Sequence, residues 1–220
     1  MRKAIATYFI MTLFFLAAAK AQVQVSEEPL HKPVLINKYL RLLDVWLLPG
    51  DTTWFHIHST PSVFLYFTNT VIATEAAEED WKTDTAVAGN SWYRSFTPDT
   101  LIHRVSNIDT VPLHVNDIEL LSTFDTVAAR RPLRFPLAYE SELVWAYRLT
   151  RKYYTTGIIK DRGPMVAELV SGDMVYYTNT ITNQKTELKA GEFLYIDPGS
   201  SFYFGFKGRE NVNMVLFEIK

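Results

Sequence analysis

The 220-residue sequence contains no cysteine. That excludes disulfide cross-links, a cysteine nucleophile and a lipid-bearing cysteine behind a leader. Basic blocks are also missing: 22 Lys and Arg stand against 24 Asp and Glu, for a net charge of −2. Neither nucleic acid nor an anionic membrane surface is therefore a favoured partner. No G-x-S-x-G elbow and no phosphate-cradling glycine loop is present. Helical periodicity is weak, and only one apolar run is long.

That run opens the chain. Arg2 and Lys3 precede an apolar stretch from Ala4 to Ala19, and Ala19-Lys20-Ala21 has the small-x-small form of a cleavage site before Gln22. Residues 1–21 read as a secretory signal peptide. The alternative is an uncleaved anchor, but the run is shorter than the roughly 20 residues that span a bilayer, and Thr7, Tyr8 and Thr12 interrupt it. The expectation is a periplasmic or secreted protein with no membrane attachment after cleavage. Without disulfides, core burial must stabilise it, and 48% hydrophobic with 14% aromatic residues is enough to do so.

Gln22 to Pro33 is polar, so residues 22–37 are expected to form a loose N-terminal arm. From Tyr39 onward the chain is a succession of short runs rich in Val, Ile, Leu, Thr, Tyr and Phe, such as Leu42–Leu48, Val63–Thr68 and Met214–Ile219. Breakers such as Pro49-Gly50-Asp51, Ser171-Gly172-Asp173 and Asp197-Pro198-Gly199 separate them. Ala73–Trp81, rich in Glu and Ala, is the one expected helical excursion. The fold class is all-β, a sandwich or barrel. A faint internal duplication narrows this choice. Pro61 through Asn69 aligns with Pro164 through Gly172, 103 residues later, and Asn116–Glu119 aligns with Val215–Glu218, 99 residues later. Two tandem barrels follow, over 38–121 and 143–220. Residues 122–142, with Arg130, Arg131, Pro132, Arg134 and Pro136, form an extended linker.

Three of the five histidines carry the chemistry. In a strand, His56 and His58 point the same way. With His103 from a distant hairpin they can close a three-nitrogen face on a metal ion. Their setting is Gly50-x5-His56-x-His58, then Pro98-x-Thr100-x2-His103-x3-Asn107, the two stretches about 40 residues apart.

These two stretches resemble, in order, the signature motifs of the cupin superfamily, and the duplication resembles a bicupin of two jelly-roll barrels. The resemblance covers roughly residues 38–220. In the first motif the superfamily has a Glu after a gap of three or four residues; here that position is Val63, or Ser62 under the shorter gap. In the second, Thr100 and Trp92 replace glycines, with Gly89 nearby. In the C-terminal half, Gly191-Glu192 and Asp197-Pro198-Gly199 follow the same grammar. The ligand positions there become Ile159, Asp161 and Phe202, so this barrel is expected to hold no metal.

The resemblance implies one divalent transition metal on His56, His58 and His103, with Fe, Zn, Cu, Ni and Mn all open. Thiol, β-diketone and gentisate-type dioxygenases of cupin type use such a three-histidine site without the Glu. The implied function is metal-dependent, dioxygenase-like oxidoreductase chemistry on a small molecule. A non-catalytic ligand-binding cupin, or a structural bicupin with a decaying site, is the competing reading. A homodimer through edge strands is a further implication.

Other candidates are less direct. Arg94 interrupts the strand that enters the second motif, and facing inward it would clamp a substrate carboxylate. Alternation along His114–Glu119 separates His114 from Val115, Asp117 and Glu119, without saying which face is inward. Asp117 or Glu119 is a candidate to orient a ligand histidine. The aromatics Trp54, Phe55, Tyr66, Trp92, Tyr93 and Phe96 surround the motifs as barrel packing or as a pocket wall. Arg104 is expected to face outward, and His31, ahead of the barrel, to be exposed.

Overall fold

The structure is a computed structural model that describes residues 22–124, 130–150, 155–206 and 211–220. The signal-peptide reading of residues 1–21 lies outside these. No helix among the described residues is long and apolar enough to cross a membrane.

The first half contributes β1 (Val23–Gln24), β2 (His31–Ile36), β3 (Leu40–Leu47), β4 (His56–His58), β5 (Ser62–Tyr66), β6 (Thr70–Ala76), β7 (Lys82–Ala86), β8 (Ser91–Arg94), β9 (Leu101–Asn107) and β10 (Leu113–Leu120). They form two five-stranded sheets, ordered β1-β4-β9-β6-β7 and β2-β3-β10-β5-β8. The second half contributes β11 (Leu137–Glu140), β12 (Val144–Leu149), β13 (Met165–Ser171), β14 (Val175–Asn179), β15 (Lys185–Leu188), β16 (Phe193–Ile196), β17 (Phe202–Phe206) and β18 (Asn213–Ile219). These make a five-stranded sheet, β11-β12-β18-β13-β16, and a three-stranded one, β15-β14-β17. The all-β expectation holds, with one pair of sheets for each half of the duplication.

The two halves meet through one large sheet from each. Leu40, Leu42, Val63, Leu65 and Ile118 from the first half share a core with Val144, Val166, Val215, Phe217 and Ile219 from the second. The intervening residues point the other way: Leu43 and Val45 into the first barrel, Tyr147, Met165 and Leu216 into the second. Because both faces of these sheets are covered, burial does not alternate along their strands as it does in a half-exposed sheet. In β10, seven of eight residues are fully buried and Val115 is half-buried. Two polar side chains sit inside this interface. Asn116 Nδ2 donates to Glu168 Oε1 at 2.6 Å, and burial first, then Asp44, pushes the Glu168 carboxyl up to about 8.

Three expectations are corrected. The segment 22–37 is not loose: Val23 pairs in parallel with His56, and His31–Ile36 pairs with β3. Its hydrogen bonds come from edges that those barrel strands leave open, a tertiary effect its polar composition does not reveal. Ala73–Trp81 is not helical. β6 is paired on both sides, with β7 and β9, and this pairing overrides the local Ala and Glu propensity. Glu78, with φ of 66°, sits in the turn that follows. The linker 122–142 is partly strand, since β11 pairs with β12.

Candidate metal centre

Gly50, at φ of +87°, turns the chain out of β3 toward β4. On β4 the strand alternation buries His56 and His58 and leaves Ile57 on the other face. β9 runs antiparallel alongside, in a register that sets His103 directly opposite His56. The three rings lie 4.6–5.0 Å apart by their centroids. One ligating nitrogen from each falls within 4.8 Å of the others. Asn107, the last motif residue, is structural: its Nδ2 donates to the carbonyls of Leu47 and Val111 at 2.8 and 2.9 Å. That bond set fixes the end of β9.

Two buried ring nitrogens, His56 Nε2 and His58 Nδ1, have no hydrogen-bond partner. His56 Nδ1 donates to the Trp54 carbonyl at 2.9 Å, and its Nε2 is buried without a partner. His58 Nε2 and His103 Nε2 face each other at 3.1 Å. On its far side, His58 Nδ1 lies 3.4 Å from Asp117 Oδ2. Burial, reinforced by neighbouring histidines, pushes His56 down to about 4, His103 down to about 3 and His58 well below the usual imidazole range. At neutral pH all three are uncharged, which is the form that binds a metal. A buried orphan Nε2 and two nitrogens directed at one another fit a cation held between them.

The motif Glu position is resolved by strand direction. Val63 belongs to the core between the barrels, so it faces away from the histidines. Ser62 occupies the inward position and is fully buried. The carboxyl group beside the site comes from Asp117 on β10, a strand of the other sheet. Burial, then the charge of Glu119, raises the Asp117 carboxyl well above its usual range, against the opposing influence of the Ser62 hydroxyl and Arg41. Of the two candidates, Asp117 lies beside His58, while Glu119 pairs with Arg41.

The histidines open into a cavity of about 200 Å³ lined largely by apolar side chains. This is larger than the roughly 150 Å³ that accommodates benzene in an engineered protein core, so one ring or its equivalent fits. Phe96 stacks on His58 at 5.0 Å, and Phe64 stacks on Trp92 at 4.9 Å. Arg94 lines this cavity and lies 4.9 Å over the Phe96 ring. Its partner on β5 is Ser62. The aromatics divide by face. Tyr66 and Trp92 line the cavity, while Tyr93 packs against the interbarrel core and Trp54 is exposed.

The remaining positions sort as follows. Arg104 faces away, paired with Glu75 and stacked over Phe55 and Trp81. His114 lies on the opposite face of β10, between Trp46 and Phe67 at 3.9 and 4.3 Å, bonded to Asp44 at 2.9 Å. His31 contradicts the expectation of exposure. It is 7% exposed, lines the cavity and packs 4.7 Å from the His56 ring. Its Nδ1 donates to Glu28 Oε2 at 2.6 Å. The local signal was Glu28-x2-His31, in a segment whose polarity disguised it.

The second barrel repeats the frame without the ligands. Ile159 bridges to Phe202, the pairing that His56 and His103 make in the first barrel. Both are buried in a core with Tyr147, Met165, Phe204 and Leu216, and Leu216 aligns with Asp117. Among the described residues, His56, His58 and His103 form the one cluster with metal-ligand spacing.

No family model matches the chain, and no curated protein does. Solved structures do match in shape. A cupin 2 conserved barrel domain protein from Leptotrichia buccalis is 13% identical with a TM-score of 0.57, over 86% of this chain and 88% of that one. A salicylate 1,2-dioxygenase from Pseudaminobacter salicylatoxidans is 13% identical with a TM-score of 0.54, over 83% and 72%. Oxalate decarboxylase from Bacillus subtilis, described with Mn(II) centres, is 10% identical with a TM-score of 0.52, over 83% and 69%. The fold is the cupin fold. This chain carries it twice, with one three-histidine cluster in the first copy.

Proposed function

We propose that the chain is an exported, metal-dependent cupin enzyme acting on a small organic molecule, with oxidative cleavage as its reaction class. The observation that carries this reading is the buried, uncharged face of His56, His58 and His103 opening into an apolar cavity. Their Nε2 atoms would hold one iron, zinc, copper, nickel or manganese ion, which when bound supplies a Lewis-acidic or redox-active centre with open positions. The Trp54 carbonyl orients the His56 ring, and Asp117 lies close enough to His58 Nδ1, at 3.4 Å, to do the same for His58 once a metal is bound. Phe64, Trp92 and Phe96 keep water from the cavity wall, and Arg94 offers a guanidinium to an anionic group on the bound molecule. A dioxygenase and a decarboxylase among the similar folds support metal-dependent chemistry as the class.

The test is oxygen uptake by the metal-loaded protein against a panel of thiols, diketones and phenolic acids. Turnover with one class, absent in His103→Ala, supports the proposal. A second reading is a binding protein without turnover, favoured by Ser62 in place of the motif carboxylate. Saturable binding with no oxygen consumed and no product formed would support that reading instead.

A further inference from the structure

The cavity carries opposite charges, and strand register sets them at opposite ends. Along β5, Ser62 faces inward, and Phe64 and Tyr66 line the cavity. Arg94 lies opposite Ser62, and Asp117, the neighbour of His58, lies opposite Phe64. Tyr66 is four residues beyond Ser62, about 13 Å along the strand. The facing sheet has the same layout. β6 sets Ala76 opposite His103 and Ile72 opposite Asp84, again four residues apart. Tyr66 packs against the cluster that contains Ile72, so Tyr66 and Asp84 share the end away from the histidines. Arg94 marks the other end: it lies over Phe96, which stacks on His58.

These polar groups are uncommitted. Among the described residues, Arg94 has no carboxylate partner and no residue bonds to the Tyr66 hydroxyl. Asp84 accepts the N–H of Thr85 at 2.7 Å and pairs with no cation. Both Asp84 and Arg94 line the cavity. Burial, then the charge of Asp84, pushes the Tyr66 phenol up to about 12, so it stays a hydroxyl at neutral pH.

We infer that the cavity takes a compact zwitterion, whose anionic group meets Arg94 beside the histidines and whose ammonium group meets Asp84 and the Tyr66 hydroxyl at the far end. Arg94 alone would accept any small anion. Asp84 adds the second requirement and is the specificity-determining residue. The inference rests on reading this cavity as the substrate site of a metal centre, and it adds the charge expected at each end of the substrate. Asp84 and Arg94 are exposed as well as cavity-lining, so each contact has the strength of a surface ion pair.

The experiment uses the full mature chain loaded with Zn²⁺, with bound zinc measured first, and calorimetric titration with two probes. 4-(Aminomethyl)benzoate carries both charges across one ring, and 4-methylbenzoate lacks the ammonium group. Asp84→Asn is expected to weaken the first probe about fivefold, the upper range for an exposed ion pair, and to change the second less than about twofold. Tyr66→Phe is expected to weaken only the first probe. Arg94→Met is expected to weaken both alike. An Asp84→Asn chain that binds both probes as the wild type does, or both equally more weakly, overturns the inference. So does an Arg94→Met chain with unchanged binding, or a zinc-loaded wild type that binds neither probe. In each of these cases bound zinc at about one per chain leaves the metal centre standing. A wild-type chain that takes up no zinc overturns the metal reading, and the inference with it.

Discussion

Burial keeps His56, His58 and His103 neutral, the form in which imidazole can bind a metal. The Trp54 carbonyl anchors His56, whereas Asp117 Oδ2 lies 3.4 Å from His58 Nδ1 without a hydrogen bond between them. Asp117→Asn keeps the volume and replaces the carboxyl group beside His58 with an amide. It is expected to lower metal affinity 10- to 100-fold with the fold intact, the range for losing such a partner, measured by competition with a chelator. Glu119→Gln, which touches Arg41 and no histidine, is expected to change affinity far less. At this scale the sequence was legible where strand alternation decides the answer, as for His56 and His58. It was ambiguous where two faces were possible. Asp117 and Glu119 share a face of β10, and only the neighbouring strands determine which of them reaches a ring.

At the scale of elements, the N-terminal segment departs most from its composition. A polar stretch becomes an edge strand because β3 and β4 leave unpaired backbone groups that it satisfies. Removal of residues 22–30 is expected to lower the Tm by about 2–8 °C, the shift for a loss of 1–2 kcal/mol in a chain of this size. It is also expected to weaken metal binding, since β4 loses its outer partner; thermal unfolding and metal titration on the truncated chain check both. An unchanged Tm would return the segment to the status of a loose arm. The misread helix at Ala73–Trp81 has the same origin, since a central strand's pairing is a long-range property. Turn signals such as Pro49-Gly50-Asp51 are local, and they were read correctly for that reason.

The whole molecule is two barrels sharing a buried face, and that sharing predicts their stability. Phe217 reaches from the second barrel into the interface core, so Phe217→Ala is expected to cost about 3–5 kcal/mol and to lower a single unfolding transition for both barrels. Two separate transitions in calorimetry would mean the barrels are independent. Glu168 makes one contribution to the pH dependence, opposite in sign to that of the buried histidines, which destabilise the fold as pH falls. Its folded-state carboxyl is raised to about 8 from an ordinary value of 4.5, so the folded state binds the extra proton between those values. The contribution of Glu168 to stability is fully present below about pH 4.5 and declines as pH rises toward 8, by up to a few kcal/mol. Glu168→Gln keeps the contact with Asn116 and is expected to flatten this decline, most visibly near pH 8–9 in denaturant melts. The duplication was readable as an order of weak matches. The interface was not, because strands buried on both faces look like ordinary core strands in sequence.

The central claim is that one barrel of the two holds a single metal ion through His56, His58 and His103. Metal content after purification without chelators, followed by reconstitution, tests it most directly. The account predicts about one equivalent of a single transition metal per chain. That metal should be lost in both His56→Ala and His103→Ala, whose circular dichroism and cooperative unfolding stay as in the wild type. A folded wild-type chain that accepts no metal, or a His103→Ala chain that retains a full equivalent, would contradict it.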